Sequence, residues 1–202
     1  MKNRIFTALM TSAIVLAAVS VRADDELIYI NQAGGNNDAA TASQSNGNSN
    51  SIAISQTLGG SNSATYNENG TKNNGEIVQV GSFQKAAINS TGSANNAAIL
   101  QNGGSQTANI SQTGSSNVAS ITEGTGSTTA LEHSSEGENV EVTQVGSKDY
   151  AVISATGVSN GVFVNQTGGG YGNIASIAVA DNHSEVTLNQ SGGANHATIN
   201  QR

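Results

Sequence analysis

Three histidines, fourteen acids and no cysteine are all that this 202-residue chain offers to acid–base, nucleophilic or metal chemistry. His133, His183 and His196 fall at unlike places in the repeat described below and share no strand face. With no Cys companions, they are assigned to turns and surface, and no metal site is expected. No serine sits in a nucleophile elbow, and no Ser–His–Asp set suggests itself. The run Gly169-Gly-Tyr-Gly172-Asn-Ile174 fits the calcium-binding pattern Gly-Gly-x-Gly-x-Asp until its last place, where Ile174 stands instead of Asp, so it is read as a loop. Neither an enzyme nor a cofactor is expected. The remaining chemistry is that of the carboxamide, which both donates and accepts hydrogen bonds.

Glutamine recurs every eleven to twelve residues in a fixed setting: Ala97-x-Ile99-x-Gln101-x-Gly103, then Ala108-x-Ile110-x-Gln112-x-Gly114. Anchored on the Gln slot, alternate copies form two columns. The first holds Gln32, Gln56, Gln79, Gln101, Glu123, Gln144, Gln166 and Gln190. The second holds Gln44, Glu68, Ser90, Gln112, His133, Ala155, Val179 and Gln201. Two residues before the anchors stand Ile77, Ile88, Ile99, Ile110, Ile121, Val142, Ile153, Val164, Ile177, Leu188 and Ile199, the candidate core. A side-chain period of two places both slots on one face of a strand, and the β-branched bias agrees.

Four residues before the anchors the columns differ. Ala40, Ala64, Ala86 and Ala108 belong to one, and Ile28, Ile52, Val140 and Val162 to the other. The expected unit is therefore a strand–turn–strand rung of about 22 residues, stacked roughly seven to eight times into an all-β solenoid at about 4.7–4.8 Å per strand. Gln over Gln at that spacing forms an interior amide ladder. Gly81, Gly103, Gly114, Gly146, Gly168 and Gly192, two past the anchors, suit tight bends. Asn37, Asn95, Asn117, Asn160 and Asn195, five past, suit the same turns or a second ladder. The uneven steps at 123–133 and 166–179 predict a deletion and a loop insertion respectively.

Composition narrows the class. There is no Pro, so every backbone donor is available to a sheet, and there is no Trp. Aromatics make up only 3% of residues, too few for an ordinary core. Lys2 and Arg4, the apolar run Ile5 to Val19, and small residues at Val21 and Ala23 read as a secretory signal peptide over 1–23, too short for a membrane span. Residues 24–29 form a short lead-in, and the repeats run over 30–202. Removal of the leader leaves Lys72, Lys85, Lys148 and Arg202 against fourteen acids, a net charge of −10. That surface has no basic patch for nucleic acid, and its self-repulsion keeps single copies apart.

These residues resemble the curlin family, the bacterial functional amyloids of curli fibres, whose motif is Ser-x5-Gln-x-Gly-x-x-Asn-x-Ala-x3-Gln. Gln190-Ser-Gly192-Gly-Ala-Asn195-His-Ala197-x3-Gln201 matches from the first Gln to the last. Gln112-Thr-Gly114-Ser-Ser-Asn117-Val-Ala119 matches up to the Ala and ends on Glu123 instead of Gln. The resemblance implies export through an outer-membrane pore with accessory proteins, and an extracellular, cell-surface location. It also implies polymerisation with copies of itself and related subunits in biofilm matrix and adhesion. The family contains a major subunit and a nucleator. The terminal Asn200-Gln201-Arg202 resembles nucleator endings, whereas the acidic, Lys-poor chain favours a fibre-forming subunit. A monomeric solenoid that binds a surface is the alternative of another kind, and it calls for regular outward Thr-x-Thr rows.

Glu68 and Glu123 occupy slots expected to face inward, where an unpaired carboxylate is costly. They are read either as drift at a tolerated slot or as gatekeepers that slow assembly. In the two-column scheme Glu123 lies between Gln101 and Gln144.

Overall fold

The computed structural model describes residues 5–10, 16–21, 27–125, 139–157, 160–168 and 171–202. All regular structure in them is strand. In chain order the strands are β1 (Ile5–Met10), β2 (Leu16–Val21), β3 (Leu27–Asn36), β4 (Ala39–Ser45), β5 (Ser51–Gly60), β6 (Ser63–Thr71), β7 (Asn74–Ser82), β8 (Lys85–Ser93) and β9 (Asn96–Gly104). They continue as β10 (Thr107–Ser115), β11 (Val118–Thr125), β12 (Asn139–Ser147), β13 (Tyr150–Gly157), β14 (Gly161–Thr167), β15 (Ile174–Val179), β16 (Glu185–Ser191) and β17 (His196–Gln201). Odd-numbered strands form one nine-stranded parallel sheet, here sheet A, and even-numbered strands form an eight-stranded parallel sheet, sheet B. The chain thus passes from one sheet to the other at every turn, a β-solenoid of about 7 turns with about 23 residues per turn.

The alternation in the sequence becomes inside and outside. In β10, Ala108, Ile110 and Gln112 are buried while Thr107 and Thr113 are exposed. The register holds like over like: Ile88, Ile110 and Val142 are Cα partners, as are Ile77, Ile99, Ile121, Ile153, Ile177 and Ile199. Branched side chains of similar shape stack at one strand spacing, so an apolar spine forms with almost no aromatic residues. β3 begins at Leu27, inside the expected lead-in, because Ile28 already fills an interior slot at 1% exposure. β1 and β2 fall in the segment read as a leader, and they pair in parallel with β3 and β4.

The structure corrects the column scheme beyond Glu123. β12 pairs with β10 and β13 with β11, so Gln144 stacks on Gln112 and Ala155 on Glu123. The irregular step is therefore not a deletion within a column. It is a long connection, 126–138, between β11 in sheet A and β12 in sheet B, and it lies outside the described residues together with His133. The register step of 32 residues from β10 to β12 and from β11 to β13 exchanges the two columns for the rest of the chain. The thirteen-residue step is taken up by the connection 168–173 between β14 and β15, where Tyr171 is 79% exposed.

Two departures from the repeat compensate each other. Tyr66 replaces Ile in β6 and is fully buried, and Gly75 replaces Ala or Ile in the facing sheet. A Cβ on Gly75 would collide with the Tyr66 ring. Gly75→Ala is therefore expected to destabilise the stack by about 1–3 kcal/mol through overpacking. The double change Gly75→Ala with Tyr66→Ile removes the collision and should recover part of the loss, less what buried Glu68 loses with the Tyr66 hydroxyl that donates to it. Urea midpoints of the two variants check this, and equal midpoints would show that the ring does not need the glycine.

Candidate functional site: interior ladders and open end rungs

The ladder glutamines sit on strands, and the residues two and four places earlier face the same interior. In sheet A, Gln32 donates through Nε2 to Gln56 Oε1 at 2.6 Å, Gln56 to Gln79 at 2.8 Å, Gln79 to Gln101 at 2.9 Å, and Gln101 to Glu123 Oε2 at 2.8 Å. In sheet B, Gln44 donates to Glu68 Oε2 at 3.1 Å, and a second run goes from Gln112 to Gln144, Gln166 and Gln190 at 2.9, 2.9 and 2.7 Å. In every step the donor belongs to the rung nearer the N-terminus. The same Nε2 also donates across the interior, as from Gln101 to the Lys85 carbonyl at 3.0 Å and from Gln144 to the Val118 carbonyl at 3.0 Å. Amides from Gln56 to Gln166 thus tie their own sheet lengthwise and the two sheets to each other. Gln201 donates instead to Ser184 Oγ at 3.1 Å.

The direction of donation explains both glutamates. A carboxylate only accepts, so a ladder running donor to acceptor can end on Glu without stranding a donor. The next rung then has nothing to receive, and no amide stands there: Ser90 follows Glu68 and Ala155 follows Glu123. Each Glu and the non-amide residue above it form one feature, which the even column count hid for Glu123. Glu68 and Glu123 are 2% and 0% exposed. Their surroundings differ, since Tyr66 Oη also donates to Glu68 Oε1 at 2.9 Å.

Burial, reinforced by the Glu68 charge and this hydrogen bond, pushes the Tyr66 phenol far above its ordinary value. An unfolded tyrosine ionises near pH 10, so the neutral phenol supports folding fully below that pH and progressively less above it. Stability should fall by about 1.4 kcal/mol per pH unit above roughly pH 10 from this group. Tyr66→Phe should flatten that part of the pH profile, and an unchanged profile would refute the assignment.

A second system of ladders lies in the arcs. Where sheet B passes to sheet A, a column of Asn50, Asn73, Asn95, Asn117, Asp149, Asn173 and Asn195 climbs the stack. The backbone N–H of Asn73 donates to Asn50 Oδ1 at 3.0 Å, that of Asn95 to Asn73 at 3.0 Å, and that of Asn117 to Asn95 at 3.1 Å. The side-chain Nδ2 of Asn95 reaches up to the Gly114 carbonyl at 3.3 Å, and that of Asn117 to the Gly146 carbonyl at 3.4 Å. Backbone-to-amide stitches predominate, and side-chain amides also meet directly where Asn195 Nδ2 donates to Asn173 Oδ1 at 3.0 Å and, on the opposite arc, Gln84 Nε2 donates to Gln106 Oε1 at 3.1 Å. On the opposite arc Asn62 takes the same place, accepting from Gln84 N–H at 3.1 Å, while Asn160 accepts from Ser184 N–H at 3.1 Å.

The residue before most column members adopts a left-handed conformation, as Ala94 (φ 55°) and Lys148 (φ 64°) do. Asn37 is such a residue (φ 60°) and is exposed, and the column place belongs to its neighbour Asp38. Nothing in the repeat pattern marks Asp38, Asn50, Asn62, Gln84, Gln106 or Asn173, and Asp149, a charge expected at the solvated surface, is instead buried at 1% exposure. Their common signal is a buried side-chain acceptor immediately before a strand, whether Asn, Asp or Gln.

Asp149 is the irregular member. Its Oδ1 accepts from Asn173 N–H at 2.9 Å, but its Oδ2 is buried without a hydrogen-bond partner. That oxygen stands 3.2 Å from where a Gly146 Cβ would lie, and Asn173 Nδ2 stands 3.3 Å from the corresponding point on Gly168. An acceptor therefore occupies the donor's place. Asp149→Asn should supply the missing donor to the Gly168 carbonyl and raise stability by about 1 kcal/mol. A lower urea midpoint would contradict this.

The bend glycines form stacked columns of their own. In the sheet B arcs these are Gly70, Gly92, Gly114, Gly146, Gly168 and Gly192, and in the sheet A arcs Gly59, Gly81 and Gly103. Of the remaining candidates, His183 and His196 are exposed. No group of three or more potential metal ligands occurs among the described residues. No helix among them is long and apolar enough to cross a membrane.

The C-terminal end of the stack is open. β16 and β17 each have a strand on one side only, and Leu188 and Ile199 are partly buried against the core. Together these features define a parallel β-solenoid with interior amide ladders and unpaired end strands. Residues 139–168, spanning β12 to β14, match the family model of the curlin associated repeat. The match agrees with the resemblance drawn from the motif. No curated protein and no solved structure matches the chain.

Proposed function

We propose that this chain is a structural protein, not an enzyme. In this reading it is exported and self-assembles into curli-type extracellular fibres that serve as matrix and in surface adhesion. It is a fibre-forming subunit in preference to a nucleator. The observation that carries the reading is the open end rung. β16 and β17 offer unpaired backbone donors and acceptors, and an exposed parallel edge recruits further strands. Leu188 and Ile199, half-covered there, gain burial when another rung is added. The repeat match at 139–168 supports the same reading. Residues 1–23 act as the secretion signal, and their removal frees the edges of β3 and β4 that β1 and β2 otherwise occupy. Export proceeds through an outer-membrane pore with accessory proteins.

The test is X-ray fibre diffraction on the exported, processed protein after quiet incubation at neutral pH. A sharp meridional reflection near about 4.7–4.8 Å is expected. Protein that stays soluble and gives no such reflection would refute autonomous assembly. Growth only on added seeds would reassign the chain to seed-dependent elongation.

A further inference from the structure

We propose that successive copies in the fibre join with their two sheets exchanged, so that β3 of the next copy pairs with β16 and its β4 pairs with β17. The proposal rests on the self-assembly reading above and specifies the contact.

Three observations lead to it. The first is parity. Strands alternate strictly between the sheets, and both β3 and β17 belong to sheet A. The next vacant place above β17 therefore lies in sheet B, on β16. A second copy continues the spiral without a gap only when its β3 takes that place, turned half a revolution about the long axis. That half-turn also reverses the strand direction in each sheet, so the new pairs remain parallel. Stacking sheet A on sheet A instead leaves one strand place empty beside β16, with its backbone groups unpaired in the interior of the fibre.

The second observation is core width. β16 ends sheet B with Val186 and Leu188, whereas β17 ends sheet A with Ala197 and Ile199. At the other end β3 presents Ile28 and Ile30, and β4 presents Ala40 and Ala42. In the exchanged join Val186 meets Ile28 and Ala197 meets Ala40, so large stacks on large and small on small at the slot four before the anchor. In the unexchanged join both contacts mismatch. The bulky side of the solenoid changes sheets along the chain, from Ile28 and Ile52 in sheet A to Val140, Val162 and Val186 in sheet B. The exchange at the junction restores it.

The third observation is the ladder. Gln44 Oε1 is buried with no partner in its own copy. Donors in the interior glutamine ladders point toward the C-terminal end, so the carboxamide of Gln201 in the preceding copy is the group placed to donate to Gln44, and Gln190 the one placed below Gln32.

The chain has no cysteine, so engineered pairs report without background. Tyr29, Thr187 and Thr198 occupy equivalent outward slots, three residues before Gln32, Gln190 and Gln201. Paired strands lie about 4.8 Å apart, within the range of about 4.4–6.8 Å that a disulfide spans. The variants Y29C/T187C and Y29C/T198C are exported from the full-length chain, their processed start is verified by mass, and fibres are oxidised mildly and dissolved in denaturant without reductant. The exchanged join predicts covalent multimers from Y29C/T187C and monomer from Y29C/T198C. A third variant, T41C/T198C, should also give multimers. Multimers chiefly from Y29C/T198C would overturn the proposal. Ordered fibres in which none of the pairs links would overturn it while leaving self-assembly standing. Absence of fibres from the unmodified protein would remove both.

Discussion

Gly114→Ala is expected to prevent a regular stack at rungs β10 and β12. Gly114 sits at φ 126°, and a Cβ there would collide with the carbonyl of Gly146 in the next rung. Two costs combine. Strain in a conformation that L-residues rarely adopt is about 1–3 kcal/mol. Overpacking against a neighbour that cannot yield adds about 1–3 kcal/mol more, and here the obstacle is backbone rather than a flexible side-chain end. The next rung cannot shift aside without breaking its own ladder hydrogen bonds. In circular dichroism the variant should lose β-sheet signal, and its fibres should dissolve at markedly lower denaturant. Gly104→Ala is the control, because a Cβ there meets only the Ser82 carbonyl oxygen at 3.7 Å. Equal behaviour of the two variants would show that close glycine stacking does not limit the fold.

Glu123→Gln is expected to stabilise the stack and shorten the lag before fibrils appear. Glu123 is fully buried and accepts from Gln101 at 2.8 Å. A glutamine keeps that acceptor. Its new Nε2 would stand where Gln79 and Gln101 donate to the first carbonyls of β6 and β8, and would reach the Thr107 carbonyl at the start of β10. One hydrogen bond gained is worth about 0.5–1.5 kcal/mol, and removal of a buried charge adds to it. Glu68→Gln should behave differently, because both carboxylate oxygens already accept, one from Gln44 and one from the Tyr66 hydroxyl. A carboxamide has a single acceptor oxygen, so one of these bonds weakens, and a cost of about 1 kcal/mol is expected. Thioflavin lag times and urea midpoints for both variants separate the cases. Equal stabilisation by both changes would reduce the effect to charge alone, and an unchanged or longer lag for Glu123→Gln would end the gatekeeper reading.

The two glutamates also show where sequence reasoning stops. That they face inward follows from the strand period, because Glu123 stands two residues after Ile121 and four after Ala119. Their neighbours along the stack do not follow, since these depend on how many residues each arc consumes. A register step of 32 residues from β11 to β13 looks, in linear counting, like one more weak repeat. The same limit applied to the arc columns. Asn95 and Asn117 stood out by residue type, whereas Gln84, Gln106 and Asp149 are recognised only from contacts one rung away: Gln84 Nε2 donates to Gln106 Oε1 and to the Gly103 carbonyl, and Asp149 Oδ1 accepts from Asn173 N–H.

What the sequence by itself determined was local and periodic. Alternation of Ala, Ile and Gln with outward polar residues specifies strands with one buried face, because successive side chains point to opposite sides. Glycine two past the anchor specifies the bends, because only glycine passes that close to a neighbouring carbonyl. The absence of Pro and the scarcity of aromatics specify a stack in place of a globular core. Only the tertiary structure decided which rung lies on which. That choice made Glu68 and Glu123 ladder ends with Ser90 and Ala155 above them, matched Tyr66 to Gly75, and left Asp149 with an acceptor in a donor's place. Stacking order is a contact between residues 22 to 32 apart, and a repeat in which every rung has nearly the same interior pattern carries little information about it.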